Sequence, residues 1–241
     1  MSPGDPKKPL IRLIGEDSFL VEFEPVVSWQ VNTKVRRLLH GLKRLSPPGF
    51  KLALPAYRSL LIYFDPWTVK PDTFLESIEA ACMGLNGFTE VPSRLFKLPA
   101  VYDDEHGPDI ERIANFSGIT PDQVIKLASQ LKLPVFFLGY ICSQAYLGAI
   151  PEELQVPRLL NPRPLVPGGS FGFGGPQANV LAVDSPSGLN YVGRTFVKMF
   201  NPSQLPPTAI RPGDYIQCYS CELKIALEAG KCPMEEFIEP L

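Results

Sequence analysis

The sequence predicts an α+β fold in two domains: a small N-terminal α/β sandwich over residues 1–91 and a β-barrel with two short helices over residues 92–241. Three observations predict it. Short segments of strand and helix periodicity alternate through the first third of the chain. Two helix starts stand in the middle, one with a complete capping signal. From Pro157 onward, proline, glycine and β-branched residues separate short apolar stretches, which is the texture of a barrel.

Residues 11–14 and 19–23 read as strands on either side of Gly15-Glu16-Asp17. A helix follows over 28–45, because Val31, Val35, Leu38, Leu39, Leu42 and Leu45 recur at helical spacing. Ser46-Pro47-Pro48-Gly49 stops it. Residues 50–54 and 60–64 read as two more strands, and a second helix starts at Pro71 with Phe74, Leu75, Ile78 and Ala81 on one side. The domain boundary is expected near residues 90–93. Beyond it, 109–116 reads as a helix, and Thr120-Pro121-Asp122-Gln123 opens another with a capping box and proline at its first position. A strand is expected at 135–139. Apolar stretches at 180–183, 191–192, 196–200 and 215–219 supply the barrel from Pro157 on.

The bulk composition narrows the function classes. With 241 residues and 45% hydrophobic content the chain can bury one large core or two modest ones. Charged residues are 20% and the net charge is -2, so there is no concentrated basic surface for nucleic acid. The 27 prolines, about twice the usual share, sit among aliphatic residues and read as loop punctuation. The polar, proline-rich start has no apolar signal region, and no run approaches the ~20 apolar residues that cross a bilayer. A cytoplasmic protein with no membrane partner is expected. Five cysteines, an odd number, read as reduced thiols.

Several segments together resemble one family. These are Pro55-Ala56-Tyr57-Arg58-Ser59-Leu60-Leu61 with Asp65-Pro66, Glu105-His106-Gly107-Pro108-Asp109 after Tyr102, Tyr146-Leu147-Gly148, and Pro162-Arg163 followed by Val166-Pro167 and Gly169-Ser170. Gln177, Ser185-Pro186, Gly193-Arg194-Thr195, Phe200-Asn201-Pro202 and Arg211-Pro212-Gly213-Asp214 complete the set. The family holds the B-type subunit of 5-oxoprolinase, allophanate hydrolase subunit 1, the carboxyltransferase half of urea carboxylase and a sporulation-kinase inhibitor.

The resemblance implies that the barrel is cyclophilin-like. It implies a subunit of a 5-oxoprolinase-like or carboxyltransferase-type amidohydrolase complex acting on a lactam or amide. A homologous companion subunit, and beyond it a lactam-utilisation-type subunit, would complete the complex. ATP would serve the complex, and no cofactor is expected on this chain alone. The alternative it implies is a non-catalytic regulator that binds a histidine kinase. The chain departs from the family at Leu127-Ala128-Ser129, where a histidine is usual, and at Cys142-Ser143-Gln144, Gln177-Ala178-Asn179-Val180-Leu181-Ala182 and Ser187-Gly188-Leu189. Scaffold segments match while pocket-type segments differ.

The expected substrate-binding residues are Arg163, Gln177, Arg194 and Tyr146; the catalytic residues stay open. Arginine forks suit carboxylates, so Arg163 or Arg194, with Arg158 nearby, either face a ligand or tie a barrel loop by an ion pair. Gln177 and Asn179 either bind an amide edge or bond their own backbone. Tyr146 either binds a carbonyl or packs its ring. His106 is a general base or a packing residue, since the family commonly has tyrosine there. Residues 168–175 are glycine-rich but lack the lysine and helix of a phosphate loop, and read as barrel turns. Cys218, Cys221 and Cys232 have no fourth ligand nearby for zinc. Residues 113–131 resemble a helix-turn-helix, but Lys126 and Lys132 are too few cations for a DNA-reading helix.

Overall fold

A computed structural model describes residues 8–88 and 92–240. The polar start at residues 1–7, and residues 90 and 91 of the expected boundary, lie outside the described residues. The chain separates into two compact units, Met1–Pro92 and Ser93–Leu241.

The N-terminal unit runs β1 (Leu10–Ile14), β2 (Ser18–Glu22), α1 (Trp29–Leu45), β3 (Phe50–Pro55), β4 (Ser59–Phe64), α2 (Pro71–Met83). Its sheet has the order β1-β2-β4-β3, antiparallel throughout. The Ser28 side chain caps α1 by accepting the Val31 N–H, and Lys43 and Arg44 sit in the last turn, where the helix dipole favours cations. Both helices bury their apolar stripe on one sheet face, where Val35, Leu38, Leu42, Phe74 and Ile78 meet Val21, Leu60, Ile62 and Phe64. Buried Asn32 on α1 donates to the carbonyls of Ala56 and Tyr57, both at 3.1 Å. That bond pair fastens the helix to the turn between β3 and β4.

The C-terminal unit begins with β5 (Arg94–Val101), α3 (Ile110–Ser117), α4 (Pro121–Gln130), β6 (Leu133–Gly139) and β7 (Gln144–Leu147). It continues with β8 (Arg163–Val166), β9 (Ser170–Gly174), β10 (Gln177–Val180), β11 (Ser185–Ser187), β12 (Asn190–Thr195), β13 (Tyr215–Ser220), α5 (Leu223–Ala229) and β14 (Ile238–Pro240). Seven strands close a barrel in the order β12-β9-β10-β7-β6-β13-β5, and Arg194↔Val101 and Thr195↔Ala100 join its ends. The mixed fold expected from the sequence, sandwich followed by barrel, is the one observed.

Three details differ from expectation. The barrel does not begin at Pro157: β5, β6 and β7 supply three of its strands. β5 escapes sequence reading because it is buried on both faces, so it has no alternation. Residues 196–200 form no strand; β12 ends at Thr195, and Val197 and Met199 drop into the core from a loop. The strand expected over 180–183 lies earlier, at Gln177–Val180. The Thr120 capping box is present as read, with Thr120 and Gln123 bonding reciprocally. Among the described residues, no helix is long and apolar enough to cross a membrane.

Candidate functional site

The strand pairing concentrates loops at one end of the barrel. β9 runs antiparallel to both β10 and β12. The turn entering β9 therefore sits beside the loops leaving β10 and β12. Between them lies a cavity of about 480 Å³, lined by Gly168, Asp184, Arg194, Thr195, Phe196 and Lys198, among others.

Glycine is required at the turn. Gly169 has φ +84°, and a Cβ there would stand 1.9 Å from the Thr195 carbonyl oxygen. The close approach is used: the Gly169 N–H donates to Leu181 O at 2.7 Å, and the Thr195 N–H donates to Gly169 O at 3.0 Å. Asp184 Oδ1 accepts the Gly168 N–H at 2.7 Å. Arg194 Nε donates to the Gly168 carbonyl at 3.0 Å, and its guanidinium lies 4.8 Å from the centre of the Phe196 ring. These contacts hold the arginine while leaving its terminal nitrogens for other acceptors. Neither Arg194 nor Lys198 has an ion-pair partner among the described residues. Two cations thus share one cavity with a single carboxylate, and an anionic ligand would restore the balance.

The Phe196 ring also contacts His106, edge-on at 5.6 Å. His106 Nδ1 lies 2.7 Å from Asp103 Oδ1, and its backbone N–H donates to the same oxygen. Partial burial pushes the Asp103 carboxyl up, but the two hydrogen bonds and the charge of His106 outweigh it and hold the group below the usual range.

The four residues expected to bind substrate do not converge on one point. Arg194 alone lines the cavity. Arg163 forms a two-pronged ion pair with buried Asp109, at 2.9 and 2.8 Å. Tyr146 and Gln177 lie on the outer face of the barrel wall. The Tyr146 ring stacks on Phe137 at 4.4 Å, and Gln177 Oε1 accepts from Arg158 Nη2 at 2.6 Å. Burial raises the Tyr146 phenol and the nearby Arg158 charge opposes the rise. Asn179 is opposite Tyr146 on β7 and Gly172 on β9. Tyr191 reaches across that glycine towards Asn179 Oδ1 and bonds Ser187 Oγ at 2.7 Å.

Sequence reasoning misses Asp184 and Lys198. The signal for Lys198 is its spacing: Arg194, Phe196 and Lys198 recur at period 2, which puts them on one side of an extended chain. Asp184 carries no such signal beyond standing before Ser185-Pro186. Among the described residues, no cluster of histidine, cysteine or carboxylate side chains suits a metal ion, and all five cysteines are free thiols.

Comparison with known proteins decides the lineage. Residues 9–210 match the family model described as carboxyltransferase domain, subdomain C and D. The chain belongs to this family. It is 33% identical over 206 residues to the B-type subunit of 5-oxoprolinase from Escherichia coli O157:H7, covering 85% of this chain and 93% of that protein. It is 28% identical over 217 residues to the corresponding 5-oxoprolinase subunit of Bacillus subtilis (strain 168), covering 86% and 90%. The urea amidolyase of K. lactis shares the fold, with a TM-score of 0.73 at 20% identity over 98% of this chain; the chain spans 16% of that protein.

Several segments that carry the family resemblance hold the fold. Gly107 lets the chain pass against β12, since a Cβ there would be 2.2 Å from Val192 O. Asp109 accepts the Tyr191 N–H at 2.7 Å in addition to its arginine bonds. Asp214 accepts the Arg211 N–H at 2.9 Å and a forked pair from Arg94. Ala128, where the family usually has histidine, is buried in the barrel core.

Proposed function

We propose that this chain is the B-type subunit of a 5-oxoprolinase-type hydrolase, a complex that opens a lactam or a related amide at the expense of ATP. The observation that carries this reading is the near full-length likeness to the B-type subunit of 5-oxoprolinase, at 33% identity over 85% of this chain and 93% of the relative. The cavity beside β9 agrees with it chemically. Arg194 and Lys198 offer cations for a substrate carboxylate, and Asp184 offers an acceptor for an N–H. This chain would form one wall of the reaction site, and a companion carboxyltransferase-type subunit would form the other.

The test is co-expression with the neighbouring companion genes, purification of the complex, and assay of 5-oxoproline-dependent ATP hydrolysis with glutamate release. Turnover by the complex, lost when this chain is omitted, is expected. A complete complex without turnover, together with tight binding of this chain to a histidine kinase, would replace the enzyme reading with the regulatory one.

A further inference from the structure

β12 ends at Thr195, so Phe196 stands outside the strand ladder and its ring lies where its neighbours hold it. The Arg194 guanidinium lies 4.8 Å from the centre of that ring, and the His106 ring meets it edge-on at 5.6 Å. Gly230 packs on the Phe196 backbone, where a Cβ would stand 2.8 Å from the Phe196 carbonyl oxygen. Arg194 is fixed at Nε by the Gly168 carbonyl. The freedom left to it is rotation of the guanidinium about that bond, and the face of the Phe196 ring limits it.

His106 is brought to Phe196 by the segment that leaves β5. The end of β5 pairs with the end of β12 through Val101↔Arg194. The chain then follows β12 closely: a Cβ on Gly193 would meet Tyr102 at 2.9 Å, and one on Gly107 would meet Val192 O at 2.2 Å. The Gly107 N–H closes the turn by donating to Asp103 O at 2.7 Å. Inside this turn Asp103 Oδ1 accepts from the His106 backbone N–H at 2.8 Å and from Nδ1 at 2.7 Å. The carboxyl is held below its usual range, so it is an acceptor only and Nδ1 carries the proton. The imidazole is buried, and the bond to Asp103 fixes the plane of its ring. Among the described residues, Phe196 and Arg194 line the cavity and His106 does not.

We propose that His106, locked by Asp103, is a positioning residue that acts through Phe196 to aim the Arg194 guanidinium into the cavity. Its effect on turnover rests on the hydrolase reading above, while the positioning itself is a property of this chain. The four side chains form one relay: the carboxylate orients the imidazole, the imidazole seats the phenyl ring, and the ring sets the arginine.

Two measurements test it. In the isolated full chain, the Arg194 Nε–H signal in nitrogen-15 spectra is assigned by its loss in Arg194→Lys. His106→Ala and Asp103→Ala should each speed its exchange with solvent by about tenfold, and Asp104→Ala should leave it unchanged. Asp103 is half exposed, so D103A carries the test if H106A fails to fold. In the assembled complex, H106A should lower 5-oxoproline-dependent turnover by about tenfold in the wild-type background and not at all in the Arg194→Ala background. A residue that merely supports the fold would lower both alike. Unchanged Arg194 exchange in H106A and D103A would overturn the proposal, and so would an equal loss of turnover in the two backgrounds. A wild-type complex without turnover would overturn the hydrolase reading instead, and the exchange rates alone would then decide the positioning role.

Discussion

Asp109 and Arg163, 54 residues apart in sequence, meet through two parallel hydrogen bonds of 2.8 and 2.9 Å. The carboxylate is buried and also accepts the Tyr191 N–H. This pairing ties the start of α3 to β8 and β12. Arg163, one of two arginines that the sequence offered as substrate ligands, is therefore engaged with the scaffold.

Removing either partner should cost stability, and unequally. Asp109→Ala strands both the guanidinium and the Tyr191 N–H, and should destabilise the chain by about 2–4 kcal/mol. Arg163→Ala leaves Asp109 its backbone partner, and the arginine is a third exposed, so about 1–3 kcal/mol is expected. Urea unfolding of the two single variants and the double variant measures the coupling. Additive losses would show that the pair contributes nothing as a pair.

Arg194 should behave in the opposite way. Its side chain lines the cavity and has no ion-pair partner to strand, so Arg194→Ala should change stability by less than about 1 kcal/mol. In the assembled complex it should lower turnover by about a hundredfold, as loss of one fixed anion donor does elsewhere. Arg194→Lys should recover part of the activity, because charge returns without the fork. Wild-type turnover in R194A would remove this cavity from consideration.

Two glycines separate crowding from backbone strain. At Gly169 a methyl group would meet Thr195 O at 1.9 Å, in a left-handed conformation. At Gly175, with φ +60°, nothing lies within 4 Å. Gly175→Ala should cost about 1–2 kcal/mol from conformation alone. Gly169→Ala should cost more than about 4 kcal/mol or prevent folding, because the clash is with backbone. Equal melting temperatures for the two variants would contradict this account.

Alkaline titration has a definite sign. Burial pushes the Tyr191 phenol up to about 12 from its ordinary 10.0, against the pull of bonds to Ser187 and Asn179. Burial likewise pushes the Cys82 thiol up to about 12. Both are acids whose neutral form the fold favours. Their contribution is whole below the unfolded values and is lost as pH rises from there towards about 12. Tyrosinate absorbance should show Tyr191 ionising late, together with unfolding. Cys82 should be alkylated slowly in mildly alkaline buffer and quickly after addition of urea. Rapid labelling in the folded protein would place the thiol in solvent.

Much of the fold is legible because its signals are local. Ser28, Pro71 and Thr120 each mark a helix start by chemistry confined to one turn, and all three helices begin there. The strands of the N-terminal sheet read as short apolar stretches next to turn signals, with apolar residues on both faces. β5 is not read from the sequence, because burial on both faces leaves it without alternation and Lys97 and Pro99 interrupt its apolar run. The site is less legible. Arg194 stands out as a barrel arginine, yet nothing within a few residues tells it apart from Arg163.

By itself the sequence determined where most helices and strands form, that a sandwich precedes a barrel, and to which family the chain belongs. These follow from short-range patterning and from motifs in a set order. Only the tertiary structure decided which arginine lines a cavity and which is bound to Asp109. The physical reason is that an ion pair depends on positions in space. The fold brings Asp109 to Arg163 across 54 residues and leaves Arg194 beside a cavity, with no ion-pair partner among the described residues.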